Sequence, residues 1–385
     1  MKNVAVSGIG CVCAIGADMR GIATGMRGGR DGIRPVGLFP VTGCHSQTAG
    51  EMPAEVAVRA ASIHAPARRW SRAAQVFLVA TQEALAASPG FLPDAVIIGT
   101  TSGAMDIGEN FFRSLRAGCD LPRAAKRVRG YPPQMPVLDA LGCLGIRAPV
   151  RIISNACASG TNALGMAWQM IRSGAARRVL AGGYDTLSEL VFAGFDCLRA
   201  STAERCRPFD SGRSGLVLGE GAAVFCVGGE GPLRISGYGA ATDTHHLTQP
   251  HPSGSGPRDA MLRALEAAGL KGKDIDHVNA HGTATPQNDA CEALAISAVC
   301  PDAPVTSTKA MTGHTLGAAG AIEAAFCAIS LAEGFLPPTL NFRNPDPGVT
   351  LDIVSGEARK QRLRRVVSNS FGFGGSNASI VLEVS

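Results

Sequence analysis

A cysteine lies where the sequence predicts that a buried strand ends and a helix begins. The apolar run Val150–Ile153 predicts the strand, and the Ala-rich stretch Gly160–Ser173 predicts the helix. Cys157 would then stand at or near a helix N-terminus, where the helix dipole and free backbone N–H groups favour a thiolate. The alternative is an unreactive buried thiol, which we expect of most of the other eleven cysteines.

Two histidines and a lysine occur in segments rich in glycine and threonine, at predicted junctions between strands and loops. His281 follows the predicted strand His277–Ala280, and Lys309 precedes His314 by five residues. Each histidine alone could be an ordinary buried polar group. Together with Cys157, these side chains could carry out acyl transfer through a thioester, in which the thiol attacks and the imidazoles polarise carbonyl oxygens.

The elements that must position these residues alternate along the chain in the manner of an α/β protein, with Val- and Ile-rich strands between Ala- and Leu-rich helices. The predicted strands are Asn3–Ser7, Ala95–Gly99, Val150–Ile153, Val179–Ala181, Ala222–Cys226, Leu233–Ser236, His277–Ala280 and Val366–Ser368. The predicted helices are Arg72–Ala86, Gly160–Ser173, Arg258–Ala268, Ala290–Val299 and Ala318–Glu333. After the last strand, the glycine-rich segment Asn369–Asn377 predicts a mobile loop or an exposed backbone N–H, with a plain tight turn as the alternative.

A weak internal repeat divides the chain near residue 230. Val4–Gly10 and Leu233–Gly239 are both predicted strands that run into S-G-x-G. A second match pairs the predicted strand that ends in Ile98-Gly99-Thr100 with the one that ends in His281-Gly282-Thr283. Such short matches can also arise by chance. If they are real, residues 1–230 form a half that carries the cysteine and residues 231–385 form a half that carries the histidines. No flexible linker separates the halves, so they are expected to pack together.

Composition excludes several functional classes for this chain of 385 residues. Hydrophobic residues make up 45% and charged residues 17%, so a large core can form and general disorder is excluded. The net charge of +5 is too small to indicate nucleic acid, and aromatic residues at 5% argue against a base-stacking platform. The cysteines form no C-x-x-C pair for zinc or redox chemistry, which indicates reduced thiols in a cytoplasmic protein. Neither a signal peptide nor a membrane span is expected.

Four segments in a fixed order carry the chemistry described above. They are NACASG (155–160), HGTATPQND (281–289), STKAMTGHTLGAAG (307–320) and SNSFGFGGSN (368–377), with RPFDSGRSGLVLGEGAA (207–223) in support. Together they resemble an elongating β-ketoacyl-acyl carrier protein synthase of the thiolase superfamily. The resemblance implies a thiolase-like five-layered αβαβα fold built from two related halves. It also implies a decarboxylative Claisen condensation of a Cys-bound acyl chain with malonyl-acyl carrier protein, which gives β-ketoacyl-acyl carrier protein and CO2.

The resemblance also implies a role for each matching residue. Cys157 would be the nucleophile that accepts the growing acyl chain. His281 and His314 would bind the malonyl thioester carbonyl and promote decarboxylation, and Lys309 would orient this site together with Glu323. Neutral imidazoles that donate a hydrogen bond would suit this step, although a general-base role stays open.

Further roles concern the oxyanion, the acyl pocket and the substrate channel. The oxyanion hole would use the backbone N–H groups of Cys157 and Phe373. Phe371 and Phe373 would lie in a gating loop that controls access to the acyl pocket. The residues expected to line the phosphopantetheine channel are Thr248, Thr283 and Thr285. No metal or resident cofactor is implied, because the phosphopantetheine arrives on the carrier protein.

The expected partner is an acidic acyl carrier protein, together with a second, related subunit. Local arginines could dock the carrier electrostatically, and the candidates are Arg68, Arg72 and Arg199. The enzyme would be a homodimer, or a heterodimer with a ketosynthase-like subunit. Neither nucleic acid nor a membrane is expected as a partner.

Two departures from the family pattern leave the pathway open. Ser214 stands where the family often has an aspartate after arginine, and Gly99–Gly103 supplies small residues where fatty-acid elongases often carry a bulky aliphatic gate. The activity could therefore serve fatty-acid, polyketide or aryl polyene synthesis. One alternative is a specialised ketosynthase in a heterodimer with a chain-length partner. A non-catalytic chain-length subunit is disfavoured because Cys157 and both histidines are present, and the cysteine-histidine-histidine pattern also disfavours a degradative thiolase.

Overall fold

The computed structural model describes residues 2–64, 70–118, 121–347 and 349–385. In this part of the chain the strands are β1 (Ala5–Cys13), β2 (Arg34–Pro35), β3 (Thr48–Ala49), β4 (Ala95–Gly99), β5 (Val150–Ile153), β6 (Val179–Asp185), β7 (Gly221–Gly228), β8 (Leu233–Thr242), β9 (His277–Asn279), β10 (Val305–Thr306), β11 (Phe335–Leu336), β12 (Arg359–Lys360), β13 (Arg365–Gly372) and β14 (Ser376–Val384). The α-helices are α1 (Met19–Arg27), α2 (Glu55–Ile63), α3 (Arg72–Ala86), α4 (Met105–Arg116), α5 (Leu121–Val128), α6 (Gln134–Cys143), α7 (Ser159–Ser173), α8 (Glu189–Cys197), α9 (Ser255–Ala268), α10 (Pro286–Val299), α11 (Lys309–Thr312) and α12 (Ala319–Glu333).

The ten main strands form two sets of five with the same internal order. Along the hydrogen-bonded series the order is β10-β9-β13-β14-β8-β1-β7-β6-β4-β5. From the centre outward, one set runs β1-β7-β6-β4-β5 and the other runs β8-β14-β13-β9-β10. Numbered by their order along the chain within each set, both sets therefore have the arrangement first, fifth, fourth, second, third. The sets meet only where Ala5 pairs with Arg234 and Val6 pairs with Leu233. The two short sequence matches therefore fall on equivalent strands of a duplicated architecture.

Five layers result from how the helices cover these strands. Helix α3 packs on the outer side of β1 and β7, and α9 packs in the same way on β8 and β14. Helices α7 and α12 pack on each other and on both strand sets, so they form the central layer. In β4, Val96 and Ile98 belong to the outer apolar core and Ile97 to the central one, as the alternation of side chains along a strand requires. The thiolase-like αβαβα prediction is confirmed.

The S-G-x-G glycines bring each outer helix close to its strand. A Cβ atom on Gly10 would lie 2.0 Å from the carbonyl oxygen of Ala80 in α3. A Cβ atom on Gly239 would likewise lie 2.3 Å from the carbonyl oxygen of Ala260 in α9. Any side chain would force helix and strand apart, so these glycines serve close packing in both halves.

The central helix α12 is buried along most of its length. Every residue from Ala319 to Leu331 is buried. Within the described residues, the stretch Leu316–Glu333 is the one that is long and apolar enough to cross a membrane, and 89% of it lies inside the fold. Such burial is typical of a core helix.

The glycine-rich segment Asn369–Asn377 is a β-hairpin closed by a tight turn, which agrees with the plain-turn alternative and not with an extended loop. Strand β13 continues to Gly372 and pairs with β14 up to the partners Gly372 and Ser376, leaving only residues 373–375 as a single helical turn. Phe371 therefore lies on a strand and not in a loop. Strand β14 was not predicted from the sequence; it lies between β13 and β8 and pairs with both.

His277 makes the stability of the fold depend on pH. The ring is buried in β9 with Nε2 2.8 Å from Thr306 Oγ1, and burial lowers the pKa of His277 to about 3. The unfolded chain binds a proton here near pH 6.5 and the folded chain does not, so the free energy of unfolding falls as the pH drops from about 6.5 towards 3. We expect this group to contribute a loss of about 2 kcal/mol between about pH 7 and pH 5.

Urea unfolding at these two pH values checks the expectation. The variant His277→Gln keeps a polar side chain that does not titrate, so its loss of stability between the two pH values should be smaller than that of the wild type by about this amount. Equal losses in the two proteins would show that another group is responsible.

Candidate active site

Cys157 lies in a tight turn between β5 and α7. Ala156, immediately before it, has φ +53°, in the left-handed region that non-glycine residues rarely adopt. Three donors hold the Ala156 carbonyl oxygen: Thr101 Oγ1 at 3.0 Å, Ser159 Oγ at 2.6 Å and the Ser159 N–H at 3.1 Å. The strained turn is thus fixed by its surroundings, and it directs Cys157 toward the start of the central helix.

Burial opposes the thiolate that was expected at Cys157. Burial raises the pKa of Cys157 to about 12, and the nearby Lys309 ammonium lowers it without overcoming the burial. A helix N-terminus lowers the pKa of a thiol, but here the loss of water around the buried sulfur raises it by more. A proton acceptor is close by, because His314 Nε2 lies 3.0 Å from Cys157 Sγ.

The two histidines meet face to edge beside the thiol. The ring centroids of His281 and His314 are 5.2 Å apart with an angle of 85° between the planes. Burial, with the Lys309 charge, holds the pKa of each well below the ordinary value, so both rings are neutral. His281 follows β9 as expected. His314 follows the short helix α11 and not a strand, which corrects the prediction for that residue.

Lys309 sets the tautomer of His281. Its Nζ lies 3.3 Å from His281 Nδ1 and 2.5 Å from the His281 carbonyl oxygen. Because an ammonium group only donates hydrogen bonds, Nδ1 is an acceptor and the proton of the neutral ring is on Nε2. His281 therefore presents an N–H donor on the side away from the lysine.

Glu323 holds the lysine from the central helix. Lys309 Nζ and Glu323 Oε1 are 2.5 Å apart, and both side chains are buried. Burial raises the pKa of Glu323 to about 7, although the lysine charge opposes this. The expected association of Lys309 with Glu323 is thus present in the structure.

Glu292 was missed by the sequence analysis. This fully buried residue of α10 accepts the backbone N–H of His281 and that of Gly282, both at 2.7 Å, and so fixes the segment that carries His281. Burial raises the pKa of Glu292 to about 7. A signal was present in the sequence, because an acidic side chain interrupts the apolar run of α10 eleven residues after His281.

A cavity of about 300 Å³ connects the thiol with the surface. Cys157, His281 and His314 line its inner end, and the three threonines expected in the substrate channel, Thr248, Thr283 and Thr285, also line it. No residue of the small-residue segment 99–103 is among the described residues that line this cavity.

Aromatic side chains form one wall of the cavity. Phe373 stacks on Phe195 of α8 with centroids 5.7 Å apart, and the Phe371 ring lies 5.9 Å from that of His281. The turn at Gly372 is pressed against the nucleophile, since a Cβ atom there would lie 3.1 Å from the Cys157 nitrogen. This proximity suits an oxyanion hole made by the N–H groups of Cys157 and Phe373, which stays a prediction.

Arg72 has a structural partner, which argues against its predicted use as a docking charge. Its Nε lies 2.8 Å from Oε2 of the fully buried Glu220, and a second bond joins its Nη2 to the other oxygen. Arg199 differs, because it is exposed at the mouth of the cavity. Arg68 lies outside the described residues. Ser214, which stands where the family often has an aspartate, lies with its hydroxyl 2.7 Å from that of Thr202.

Arg72 and Arg199 are expected to respond differently to substitution. Arg72→Met leaves a buried carboxylate without its partner and should lower the free energy of unfolding by about 3 kcal/mol. Arg199→Ala should leave stability unchanged and weaken binding of an acidic carrier. Urea unfolding and carrier titration on both variants provide the measurement. An Arg72→Met protein of normal stability that fails to bind carrier would contradict this assignment.

Among the described residues, no group of three or more His, Cys, Asp or Glu side chains is arranged to hold a metal ion.

Comparisons with known proteins agree with this arrangement. The family models of the β-ketoacyl synthase N-terminal and C-terminal domains match residues 1–229 and 233–343. A curated relative, 3-oxoacyl-[acyl-carrier-protein] synthase 2 of Staphylococcus aureus (strain N315), is 34% identical over 412 aligned residues, with 99% of this chain and 98% of the relative covered.

Two solved structures are similar over the whole chain. The ishigamide ketosynthase/chain length factor superimposes with a TM-score of 0.92 at 31% identity and covers 100% of this chain and 99% of its own. A ketosynthase from Xenorhabdus doucetiae, in complex with its chain length factor, gives a TM-score of 0.83 at 28% identity, with 100% and 98% covered.

Proposed function

Because the chain belongs to the β-ketoacyl synthase family, we propose that it condenses an acyl group on Cys157 with malonyl-acyl carrier protein, with loss of CO2. The observation that carries this proposal is the placement of three groups at the inner end of one cavity. Cys157 Sγ is 3.0 Å from His314 Nε2, and the neutral His281 ring stands at right angles to the His314 ring.

The first half-reaction transfers the acyl chain. Cys157 Sγ attacks the thioester carbonyl of an acyl-carrier protein while its proton passes to His314, which then protonates the departing carrier thiolate. The negative charge on the carbonyl oxygen would be met by the N–H groups of Cys157 and Phe373. The result is an acyl-Cys157 thioester and a free carrier thiol.

The second half-reaction extends the chain. The malonyl thioester carbonyl accepts a hydrogen bond from Nε2 of His281. It accepts a second one from Nε2 of His314 after the neutral His314 ring has moved its proton from Nδ1 to Nε2 by exchange with solvent, and both bonds stabilise the enolate formed as CO2 leaves. The enolate carbon attacks the acyl-Cys157 carbonyl, the C–S bond breaks, and the released Cys157 thiolate takes a proton. Lys309 supports this step because it keeps the His281 proton on Nε2, and Thr248, Thr283 and Thr285 would line the path of the phosphopantetheine arm.

A carrier protein and a second subunit complete the proposed assembly. At the cavity mouth the Arg199 charge lies beside Leu198, which is 58% exposed, so the mouth suits an acidic carrier with an apolar contact surface. Helix α4 has no buried residue, and its Phe112 is 61% exposed. A related subunit that covers this face of α4 would account for the exposure of Phe112.

We also propose that the protein is located in the cytoplasm.

The similarity to ketosynthases paired with chain length factors favours the specialised alternative. In that case the chain would be the catalytic subunit of a heterodimer that makes a polyketide or aryl polyene. A primary fatty-acid synthase that works as a homodimer is the other candidate.

One experiment tests the reaction and the assembly. The chain, purified after expression alone, is incubated with a short acyl-carrier thioester and malonyl-carrier protein, and products are identified by mass spectrometry. The reaction proposal predicts an acyl group longer by one ketide unit. An active, stable homodimer in light scattering would contradict the heterodimer alternative. If the chain alone is inactive, the assay is repeated after co-expression with a chain-length partner, and the absence of extended product there as well would contradict the condensation itself.

A further inference from the structure

The carboxylate of Asp185, at the end of β6, is the centre of a buried hydrogen-bond network that the proposed mechanism does not use. Oδ1 accepts from Thr100 Oγ1 at 2.7 Å, from the Ser102 N–H and Oγ at 2.8 and 2.9 Å, and from the Gly103 N–H at 2.9 Å. Oδ2 accepts the N–H of Thr101 at 2.9 Å and that of Gly317 at 2.7 Å. Four of the six donors are backbone N–H groups, which can only donate, so both oxygens are acceptors.

The Oδ2 atom joins the two segments that carry the reacting pair. On one side, Thr101 donates through its Oγ1 to the carbonyl oxygen of Ala156, the residue before the nucleophile, at 3.0 Å. On the other side, Gly317 lies three residues after His314. A single carboxylate oxygen therefore bridges the turn of Cys157 and the segment of His314.

Gly317 lies so close to Thr101 and Asp185 that neither segment can move without moving the other. A Cβ atom on Gly317 would lie 2.6 Å from the Thr101 nitrogen and 2.8 Å from Asp185 Oδ2. Because the segments touch backbone to backbone, a shift of one of them alters the separation of Cys157 and His314 instead of being taken up by a flexible side chain.

We propose that Asp185 is a positioning residue that holds His314 Nε2 within hydrogen-bonding reach of Cys157 Sγ. The inference rests on the proposed function in so far as proton transfer between these two atoms is part of the reaction. Nothing in the condensation chemistry touches Asp185 itself, so its effect passes through His314.

The substitution Asp185→Asn breaks the bridge selectively. The amide keeps its oxygen on the side with four donors and turns its NH2 group toward the N–H groups of Thr101 and Gly317, where it cannot accept. The reaction of Cys157 with iodoacetamide, followed by peptide mass spectrometry near neutral pH, measures the consequence. We expect Cys157 alkylation to slow by about tenfold. This is less than the whole rate enhancement that a positioned general base provides, because His314 is displaced and not removed.

Loss of the negative charge alone predicts the opposite sign. Burial is the main cause of the raised pKa of Cys157, and the Asp185 carboxylate raises it further. Neutralising Asp185 would therefore increase the thiolate fraction and speed alkylation if its position had no effect. Faster or unchanged alkylation of Cys157 in Asp185→Asn would overturn the proposal.

A double-variant comparison separates positioning from general damage to the fold. If Asp185 acts through His314, Asp185→Asn adds no further slowing to His314→Ala, whereas a damaged fold slows alkylation in both backgrounds. The exposed thiols of Cys143 and Cys197 in the same sample serve as internal references and should keep their rates. Equal additional slowing in the His314→Ala background would contradict the inference.

The assay does not depend on condensation. Alkylation can confirm or contradict the role of Asp185 even if no extended product is ever found. Conversely, a wild-type chain that condenses normally while Asp185→Asn leaves alkylation unchanged would refute this inference and leave the proposed function intact.

Discussion

Replacing Cys157 by alanine is expected to abolish condensation, with a fall of at least about 10⁴-fold in the rate of extended product formation. The substitution removes the sulfur atom that accepts the acyl chain in the proposed reaction. The fold should persist with a stability change of about 1 kcal/mol, because one buried sulfur is lost and no charge is exposed or left unpaired. The measurement is product analysis with acyl- and malonyl-carrier substrates, together with urea unfolding.

Cys206 offers a matched control. It is also a buried thiol, burial raises its pKa to about 12, and its Sγ lies 3.8 Å from the carbonyl oxygen of Thr283. Cys206→Ala should leave condensation within a few-fold of the wild type. Normal condensation by Cys157→Ala, or an equal loss in both variants, would contradict the nucleophile assignment.

Replacing Lys309 by methionine is expected to damage both stability and decarboxylation. Glu323 would be left as a buried carboxylate without its partner, which should lower the free energy of unfolding by about 3–5 kcal/mol. His281 would lose the donor that keeps its proton on Nε2, so CO2 release from malonyl-carrier protein should fall by about 10²-fold. Urea unfolding and a CO2 assay measure the two effects separately.

The double variant Lys309→Met/Glu323→Gln distinguishes the two roles of the lysine. Removing both charges leaves no unpaired ion, so most of the lost stability should return. Decarboxylation should stay low, because the hydrogen bond to His281 is still missing. Full recovery of decarboxylation in the double variant would show that Lys309 serves only to balance the charge of Glu323.

Local patterns were sufficient to predict several elements of the half of the chain that carries the nucleophile. Helix α3 and strands β4 and β5 begin and end at the predicted residues, because their limits are marked by nearby polar and glycine residues. Strand β10 has only two residues and exists through its pairing with β9, so no local pattern could reveal it. The extension of β13 through Phe371 likewise depends on pairing with β14.

In the site, too, some features could be predicted from the local sequence and others depend on distant contacts. Residue type and spacing identified Cys157, His281, His314 and Lys309, which the fold brings together from both halves of the chain. The raised pKa of the Cys157 thiol follows from burial, which cannot be read from the residues beside it. The partner of Arg72 is 148 residues away, so its structural role could not be recognised from its position at the start of a helix.

The most direct test of the account is the mass of the Cys157 peptide during one cycle of the reaction. After incubation with an acyl-carrier thioester, the account predicts one added acyl group, located on Cys157. Addition of malonyl-carrier protein should then restore the free thiol as CO2 and an acyl-carrier longer by one ketide unit appear. An acyl group on a different residue, or extended product formed while the Cys157 peptide is never acylated, would contradict the central claim.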